Sequence, residues 1–394
     1  MLLSLFHLAV TGALVKRLKK PHLPLLQDES LPRVTVLLCL KGNDSHGLDC
    51  LRSLLFLNYP HYKIHVVIDR EGNPVWQMIP PLLKAYPGVQ VELSTLSVWN
   101  KNCSFEGNAL IQMVQSLEAD READCEVVAT IDAGLLPHPD WLREMVSPLG
   151  NPQVGVSTGY RWYKPRRGRG RSLIQYAWNG FMVAQMCVSR VPWEGSLAIR
   201  TKHIHQIELS YSWQQAITTD VILGKLLRRN GLRIAVVPSL FMTCHIEPER
   251  WSFANWVKRR LLLLRVYHPM WIVVAGQGFF VTLTLVRTAI LLSFFLFTSR
   301  WRASGWVLGG LLTYMSVVAL LISTLERNAR QAATQRGEHV HRLSFSLLMQ
   351  LFITIPLAQL SHALATLSTL FVRKLDLQGA AFQIKDLRRV RLVK

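Results

Sequence analysis

Three long apolar blocks constrain this 394-residue chain more than any other feature of its sequence. They cover residues 270–297, 304–324 and 343–372, and each contains the roughly 20 mostly apolar residues that a helix needs to cross a bilayer. A backbone inside lipid must satisfy its own hydrogen bonds, which favours helices over irregular structure. Residues 270–372 are therefore predicted to form transmembrane helices, whereas the shorter apolar runs before them predict a soluble domain.

Several polar side chains interrupt these apolar blocks. Because lipid cannot satisfy a polar group, we expect them to face other helices or a cavity. They are Gln277, Arg287, Gln350, Gln359 and His362.

Basic segments surround the apolar blocks. The net charge of +20 would suit nucleic acid or an anionic membrane surface equally well, and the apolar blocks decide for the membrane. Residues 1–20 join a short apolar stretch to the sequence KRLKK, which predicts an N-terminal membrane anchor, with a signal segment or an interfacial helix as alternatives. Residues 251–269 mix aromatic rings with cations and predict an interfacial helix, the alternative being a buried amphipathic helix of the soluble domain. Residues 373–394 form a basic C-terminal tail.

The cysteines bear on which side of the membrane the soluble domain faces. Six Cys residues show no CxxC pairing and no metal-ligand spacing, so we expect a reducing, cytoplasmic location for a multi-pass protein. With three simple crossings, the basic tail would lie opposite the soluble domain, against the positive-inside rule. Either one block is re-entrant or the rule fails in this chain.

Four apolar, β-branched runs alternate with helical patterns in the first part of the chain, which predicts a parallel sheet of βαβ units. Asp69 and Asp132 each follow such a strand, and ligands bind beyond the carboxyl ends of parallel strands. Carboxylates there would face a nucleotide through a divalent cation or through hydroxyl groups. The alternative is that each Asp only caps the next turn. The sequence lacks GxGxxG after the first strand and has no GxxxxGK[ST] motif, so dinucleotide and P-loop sites are not supported.

Five motifs occur in a fixed order along the chain. They are CLKGNDSHGLDCLRSLLFLNYP, VVID, IDAGLLPHPDWL, GSLAIR and TTDVILGKLLRRNG, followed by the apolar blocks and the basic tail. In this order they resemble the membrane-bound inverting family-two glycosyltransferases, and most closely the ceramide glucosyltransferases. The resemblance covers most of the chain. It implies an α/β, glycosyltransferase A-type (nucleotide-diphospho-sugar transferase), Rossmann-like domain over residues 30–250, followed by an α-helical transmembrane region.

The same resemblance implies roles for five donor-side and catalytic residues. Asp220 matches the base that takes the proton of the acceptor hydroxyl. Asp132 keeps the first carboxylate of a DxD motif and would hold Mg²⁺ or Mn²⁺ on the donor diphosphate. Asp69 resembles a uridine-contacting aspartate, and Lys41 and Asn108 complete the donor-binding set. The alternative for Asp220 is a first-turn acid that answers the helix dipole, with Thr218 or Thr219 as the cap.

Five further residues are predicted to lie on the acceptor side. Arg161 and Tyr163 lie just beyond the predicted metal strand, Gly195 and Ser196 belong to GSLAIR, and Arg259 occupies the first position of a (Q/R)xxRW motif.

The chain also departs from the family pattern at four positions. Leu262 and Leu263 stand where that last motif has Arg and Trp, Glu106 stands where a lysine is usual, and Glu194 stands where glycine is frequent.

Together with the apolar blocks, the resemblance implies a membrane glycosyltransferase that moves a hexose, glucose from UDP-glucose, to a lipid hydroxyl with inversion. The alternatives are a processive polysaccharide synthase of the same fold and a non-catalytic membrane scaffold. The arginine and glycine run over residues 166–171 resembles RNA-binding tracts in composition alone, and we expect a solvated loop near anionic lipid and no nucleic-acid partner.

Overall fold

The chain forms two compact units in a computed structural model. The sheet unit comprises residues 21–161, 190–246 and 374–394, and the helical unit comprises residues 1–20, 162–189 and 247–373. The structure describes residues 2–19, 24–41, 45–97, 99–100, 102–119, 125–163, 170–214, 216–244, 253–268, 271–337, 345–372, 374–377, 380–386 and 389–392. Residues 166–169 of the expected solvated loop, and residues 251–252 at the start of the expected interfacial segment, lie outside these ranges.

Ten strands are present among the described residues. They are β1 (Val34–Leu40), β2 (Tyr62–Ile68), β3 (Gln90–Thr95), β4 (Val127–Ile131), β5 (Val154–Tyr163), β6 (Ser196–Arg200), β7 (Arg233–Cys244), β8 (Lys374–Leu377), β9 (Ala380–Asp386) and β10 (Arg389–Leu392).

Thirteen α-helices are present in the same ranges. They are α1 (Leu2–Leu18), α2 (Ser45–Leu54), α3 (Val75–Lys84), α4 (Phe105–Ala119), α5 (Trp141–Val146), α6 (Gly170–Ser189), α7 (Thr201–Gln206), α8 (Leu209–Trp213), α9 (Thr219–Arg229), α10 (Phe253–Tyr267), α11 (Trp271–Phe297), α12 (Trp301–Gln335) and α13 (Phe345–Phe371).

The first half of the main sheet confirms the βαβ prediction. Strands β3, β2, β1 and β4 lie side by side and all are parallel, with Val34 of β1 opposite Tyr62 of β2 and Val127 of β4. Strand β1 is buried along almost its whole length, because helices cover both faces of such a sheet. The four predicted strands and the three helices between them are all found.

The second half of the main sheet is mixed. The seven-stranded order is β3-β2-β1-β4-β6-β5-β7, and β6 runs antiparallel to both β4 and β5. The start of β6 therefore lies beside the end of β4, with Ser196 opposite Ile131. This reversal brings the segment before β6 to the edge where the parallel strands end.

The core of the sheet unit lies between α4 and the strands. Phe105, Ala109 and Met113 recur at helical spacing on the buried face of α4, and they pack in one cluster with Leu37 of β1 and Val128 of β4. The same cluster includes residues of α8 and α9, so the beginning of α9 is held close to the sheet.

In the helical unit, α6 and α12 meet at a buried carboxylate. The Trp162 indole N–H donates to Oε2 of Glu326 at 2.7 Å, and the Tyr176 hydroxyl donates to the same oxygen at 2.8 Å. The two rings pack edge to face with centroids 5.3 Å apart. We call Trp162, Tyr176 and Glu326 the carboxylate clasp. Helix α6 thus packs within the helical unit, although the sequence placed it inside the domain of residues 30–250.

Three of the described helices are long and apolar enough to cross a membrane: Trp271–Phe297, Trp301–Gln335 and Met349–Phe371. They correspond to the three apolar blocks. Helix α1 covers the expected N-terminal anchor and packs against α12. Helix α10 forms within the segment expected at the interface and packs against α13.

The polar residues of the apolar blocks divide into two groups. His362 accepts a hydrogen bond from the Trp178 indole at 3.2 Å, and Gln359 bonds the Tyr314 hydroxyl, so these two face neighbouring helices as expected. For Gln277, Arg287 and Gln350 the expectation is wrong, since their side chains are exposed on the helical unit. The reason for the two on α11 is that this helix presents only one stripe to its neighbours.

The basic C-terminal tail contains regular structure. Strands β8, β9 and β10 form an antiparallel three-stranded sheet in the order β10-β9-β8, with Gln383 opposite both Lys374 and Arg391.

Candidate functional site

Three predicted donor-side residues follow neighbouring strands at one edge of the main sheet. Lys41 follows β1, while Asp69 and Asp132 follow β2 and β4, which flank β1. The Asp69 backbone N–H donates to the Leu40 carbonyl at 3.1 Å, which ties the ends of β1 and β2 together. Two strand spacings separate the ends of β2 and β4, or about 10 Å. This is the edge at which ligands bind to parallel α/β sheets.

Asp69 is held by the beginning of the next helix. Its carboxylate accepts a hydrogen bond from the Asn73 side-chain amide at 2.8 Å. Asn73 is buried, and its side-chain oxygen accepts from the Val75 N–H at 3.0 Å, at the first residue of α3. The position of the carboxylate is therefore fixed by the β2–α3 turn.

Asp132 is enclosed by a turn and by the segment before β6. The Leu135 N–H donates to the Asp132 carbonyl, and the Asp132 N–H donates to the Gly195 carbonyl, both at 3.0 Å. A Cβ atom at Gly195 would collide with the Trp193 indole and with the Asp132 carboxylate. Glycine is thus required here by the close approach of the Trp193 ring and the Asp132 carboxylate.

The Asp132 carboxylate forms an ion pair with the Arg161 guanidinium, which lies near the end of β5. The guanidinium also lies over the Trp193 ring, with its central carbon 5.2 Å from the ring centroid. Both members of the pair are partly open to solvent, with 21% of the Arg161 side chain and 33% of the Asp132 side chain exposed. A ligand approaching this edge can therefore reach the pair.

Asp220 lies in the first turn of α9, and its carboxylate accepts a hydrogen bond from the Val221 N–H at 2.7 Å. Thr218 is the N-cap residue by backbone position, but its side chain makes no capping bond. The Thr219 hydroxyl instead donates to the Glu194 carboxylate. Neither threonine therefore caps the helix through its side chain, and Asp220 itself bonds the helix start.

The Glu194 carboxyl lies close to both Asp132 and Asp220, whose charges act on it. Burial of its carboxyl and the negative charges of Asp220, Glu106 and Asp132 together raise its pKa to about 8, against the Thr219 hydrogen bond, which lowers it. Its backbone carbonyl accepts a hydrogen bond at 2.5 Å from the hydroxyl of Thr130, which lies in β4 two residues before Asp132. At neutral pH this carboxyl is mostly protonated and neutral.

The beginning of α4 packs next to the beginning of α9. A Cβ atom at Gly107 would lie 3.4 Å from the Thr219 methyl group. Asn108, one residue further, is buried and bonds the loop before α4: its amide N–H groups reach the carbonyls of Asn100 at 3.1 Å and Ser104 at 2.9 Å. Its side-chain oxygen accepts from the Asn100 N–H at 2.9 Å. Asn108 thus shapes a loop at this edge, and its role in donor binding stays a prediction.

The predicted acceptor-side residues are divided between the two units. Gly195 and Ser196 lie beside Asp132, where the buried Ser196 hydroxyl accepts from the Trp141 indole at 3.1 Å. Tyr163 and Arg259 belong to the helical unit, so their acceptor-side roles stay predictions.

The helical unit also explains one departure from the (Q/R)xxRW motif. Leu262, at the position of its Arg, is 1% exposed and serves as a packing residue of α10.

A family model described as Glycosyl transferase family 21 matches residues 1–390 of the chain. The chain belongs to this family. Family 21 membership confirms a glycosyltransferase and does not single out the ceramide glucosyltransferases or the family-two designation. The mixed sheet with C-terminal helices is the expected glycosyltransferase A-type fold.

Solved structures similar to this family 21 chain include the mannosyltransferase PcManGT from Pyrobaculum calidifontis in complex with GDP-Man and Mn²⁺. It is 17% identical over 93% of this chain and 96% of that one, with a TM-score of 0.48. Glucosyl-3-phosphoglycerate synthase from Mycobacterium tuberculosis, with Mn²⁺, uridine-diphosphate and phosphoglyceric acid, is 14% identical over 60% of this chain and 78% of that one, with a TM-score of 0.39. TarS 1-349 from S. aureus is 12% identical over 89% and 96%, with a TM-score of 0.40.

The residues around Asp132 in this family 21 chain offer few ligands for the divalent cation that the sequence predicts. Ala133 and Gly134, which follow Asp132, have no ligating side chain. The Asp132 carboxylate is already paired with Arg161. Across the ranges given above, the structure shows no group of three His, Cys, Asp or Glu residues that could hold a metal ion. A cation would have to displace a guanidinium and share a single protein carboxylate, so the residues present do not fit a protein-held metal.

Sequence reasoning missed the partners that complete this family 21 site. No sequence motif identifies Trp193, although the sequence PWEG before β6 places an aromatic ring close to the required glycine. The contact of Thr219 with Glu194 joins residues 25 positions apart, and local patterns carry no signal for it.

Proposed function

We propose that this family 21 enzyme transfers a hexose, glucose from UDP-glucose, to the hydroxyl group of a lipid with inversion at the anomeric carbon. The observation that supports this most directly is the position of Asp220: its carboxylate lies at the start of α9 and raises the pKa of the same Glu194 carboxyl as Asp132, which follows β4. A carboxylate and a strand-end acid are thereby gathered at the ligand-binding edge of the sheet.

The reaction is a single displacement. The acceptor oxygen forms a bond to the anomeric carbon while the bond from that carbon to the diphosphate oxygen breaks. The leaving diphosphate takes the electron pair of the broken bond, and Asp220 takes the proton of the acceptor hydroxyl. Asp69 and Lys41 hold the nucleotide part at the ends of β2 and β1.

A neutral Glu194 suits this assignment. A second full negative charge next to Asp220 would repel the donor diphosphate, whereas a protonated carboxyl does not. The base and the neutral acid differ in surroundings: the Glu194 carboxyl is desolvated, while Asp220 bonds the positive end of α9 through the Val221 N–H.

A lipid acceptor is proposed because three apolar helices belong to the same chain. Such helices anchor an enzyme where lipid acceptors reside, and a soluble acceptor would not require them. In this proposal the protein is a multi-pass membrane protein whose sheet unit faces the cytoplasm, where nucleotide sugars are made. Gly195 and Ser196, beside Asp132, serve the acceptor in this proposal, and the acceptor-side roles of Tyr163 and Arg259 stay predictions.

The test is transfer of radiolabelled glucose from UDP-glucose by the detergent-solubilised full-length protein. Ceramide, diacylglycerol and sterol are supplied in separate reactions, and products are separated by thin-layer chromatography. Loss of the base in Asp220→Asn is expected to lower the transfer rate by about 10²-fold or more. Glu118→Gln, which changes an exposed carboxylate at the far end of α4, is the matched control and should retain the wild-type rate.

Three outcomes separate the alternatives. A single-sugar lipid product supports the proposal, and a product of increasing length indicates a processive synthase. Transfer that is unchanged in Asp220→Asn contradicts the role of Asp220 as the base.

A further inference from the structure

We propose that Arg161 binds the diphosphate of the nucleotide-sugar donor, and that Asp132 serves to orient Arg161, so that donor binding does not depend on a divalent cation. This inference rests on the proposed function and specifies how the donor is held. It also moves Arg161 from the acceptor side, where the sequence placed it, to the donor side.

The first argument is the geometry of the guanidinium. Arg161 is paired through one nitrogen with the Asp132 carboxylate, and its central guanidinium carbon lies over the Trp193 ring, 5.2 Å from the ring centroid. Stacking and pairing together restrict the side chain to one orientation. A guanidinium carries five N–H donors in a rigid fork, so it can serve a carboxylate and a phosphate at the same time.

The second argument is the position of the ion pair. Asp132 follows β4 at the edge where the parallel strands end, which is where diphosphates bind in folds of this kind. The pair is partly exposed, so a donor can reach it without unfolding of the surrounding chain. Trp193 itself is 6% exposed and provides a rigid base beneath the guanidinium.

The third argument is charge. Glu106, Asp132 and Asp220 all lie close enough to the Glu194 carboxyl to raise its pKa, so three acidic side chains gather here and by themselves repel a diphosphate. A cation is required, and Arg161 is a permanent one. A divalent ion on Asp132 would lie directly beside that guanidinium, where like charges repel each other. The positive group that the chain provides therefore takes the place of a metal bridge.

The consequence for the reaction is electrostatic. Negative charge grows on the leaving diphosphate as its bond to the anomeric carbon breaks. A guanidinium already held in place stabilises that charge without reorganisation. Asp132, in this arrangement, is a positioning residue that acts through Arg161.

The experiment is calorimetric titration of UDP, and separately of GDP, into purified full-length protein in detergent. Each titration is performed in excess EDTA and in Mn²⁺. We expect UDP to bind with nearly the same Kd in both conditions. Arg161→Met keeps an apolar stem over Trp193 and removes the fork, and it should weaken UDP binding by about tenfold or more in EDTA. Arg161→Lys keeps the positive charge but lacks the guanidinium fork, so its Kd for UDP in EDTA should lie between those of the wild type and Arg161→Met.

The matched control is Arg52→Met, which removes an exposed arginine that is paired with Asp49 on α2. It should bind UDP as the wild type does. A thermal melt of each variant shows whether it is folded. If Arg161→Met fails to fold, the comparison of EDTA with Mn²⁺ on the wild type and the Arg161→Lys result still decide.

UDP binding that requires Mn²⁺ and persists in the Arg161 variants overturns this inference and leaves the proposed function intact. Failure of both UDP and GDP to bind in either condition overturns the proposed function as well. GDP binding in preference to UDP supports the Arg161 assignment, provided that it is also independent of Mn²⁺, and changes the identity of the donor.

Discussion

At the scale of single residues, two consecutive residues, Glu194 and Gly195, shape the site in different ways. Glu194 carries a carboxyl that burial keeps protonated, and Gly195 has no side chain because Trp193 and Asp132 occupy the space around it. Glu194 sets the charge at the site, and Gly195 allows the Trp193 ring and the Asp132 carboxylate to approach the main chain closely. Both lie in the short segment that reaches the strand-end edge just before β6.

Replacing Gly195 tests the close approach of Trp193 and Asp132 to the main chain. Gly195→Ala adds a Cβ atom that collides with the Trp193 ring and the Asp132 carboxylate, so we expect a loss of about 1–3 kcal/mol in the free energy of unfolding and a loss of transfer activity. Gly88→Ala, at a position with no atoms within 4 Å of the new Cβ, is the control and should be neutral. Thermal melts and the glucose-transfer assay measure both. Equal stability of the two variants would contradict the close approach.

Replacing Glu194 tests the charge. Its pKa is about 8 in the folded protein and 4.5 in the absence of such surroundings, so between these values the folded state binds more protons than the unfolded state. Stability then falls as the pH rises, by up to ~1.4 kcal/mol per pH unit. Glu194→Gln lacks this loss. Its Tm relative to wild type should therefore increase between about pH 5 and pH 8.

A Tm difference that stays flat over this range would show that Glu194 has an ordinary pKa. The control is Asp49→Asn, because the side chain of Asp49 is exposed and the guanidinium of its partner, Arg52, stays charged over the whole range.

At the scale of elements, local patterns in the sequence predict the first half of the main sheet. They do not predict features that depend on contacts between distant segments, such as the packing of α6 and the direction of β6. The β-branched runs of β1 to β4 and the helices between them follow from hydrophobic periodicity, which residues close together in the chain determine. Helix α6 shows a buried helical face but no sign of which unit it packs in. That depends on contacts with distant parts of the chain, such as the clasp contact of Tyr176 with Glu326 about 150 positions later and the packing of α6 against α13. The reversal of β6 and the pairing of Arg161 with Asp132 are equally non-local.

The carboxylate clasp should be essential for the packing of α6 on α12. Glu326→Ala leaves the Trp162 indole N–H and the Tyr176 hydroxyl without their acceptor, at a cost of about 1–3 kcal/mol for each buried donor. Glu326→Gln keeps a side-chain oxygen and is the matched variant with the smaller expected loss. Thermal melts in detergent compare the three proteins, and an unchanged Tm for Glu326→Ala would argue against the clasp.

At the scale of the whole molecule, chain order and spatial grouping differ. The sheet unit is assembled from three separate stretches, and the helical unit from three others that alternate with them. The family match extends over residues 1–390 and so includes both units. The sequence predicted the change in composition near residue 269, but it could not reveal that residues 162–189 group with the helices, because that segment is not a long apolar block.

The three apolar helices make a direct prediction for cell fractionation. Carbonate at high pH strips peripheral proteins from membranes but leaves spanning helices in place, because their apolar surface cannot enter water. We expect the full-length chain to remain in the membrane pellet after carbonate or high salt and to leave it only in detergent. A peripheral membrane protein in the same preparation is the control. Release by salt alone would show that the +20 charge, and not the helices, holds the protein on the membrane.

The reversed direction of β6 also determines where this protein can tolerate an insertion. Because β6 starts at the edge where β4 ends, extra residues inserted between Val191 and Glu194 would displace Trp193 from under the guanidinium. The start of β5 lies at the opposite edge, preceded by the exposed residues 151–153. A tag or a reporter domain should therefore be tolerated there, with activity retained, while the same insertion before β6 should abolish it.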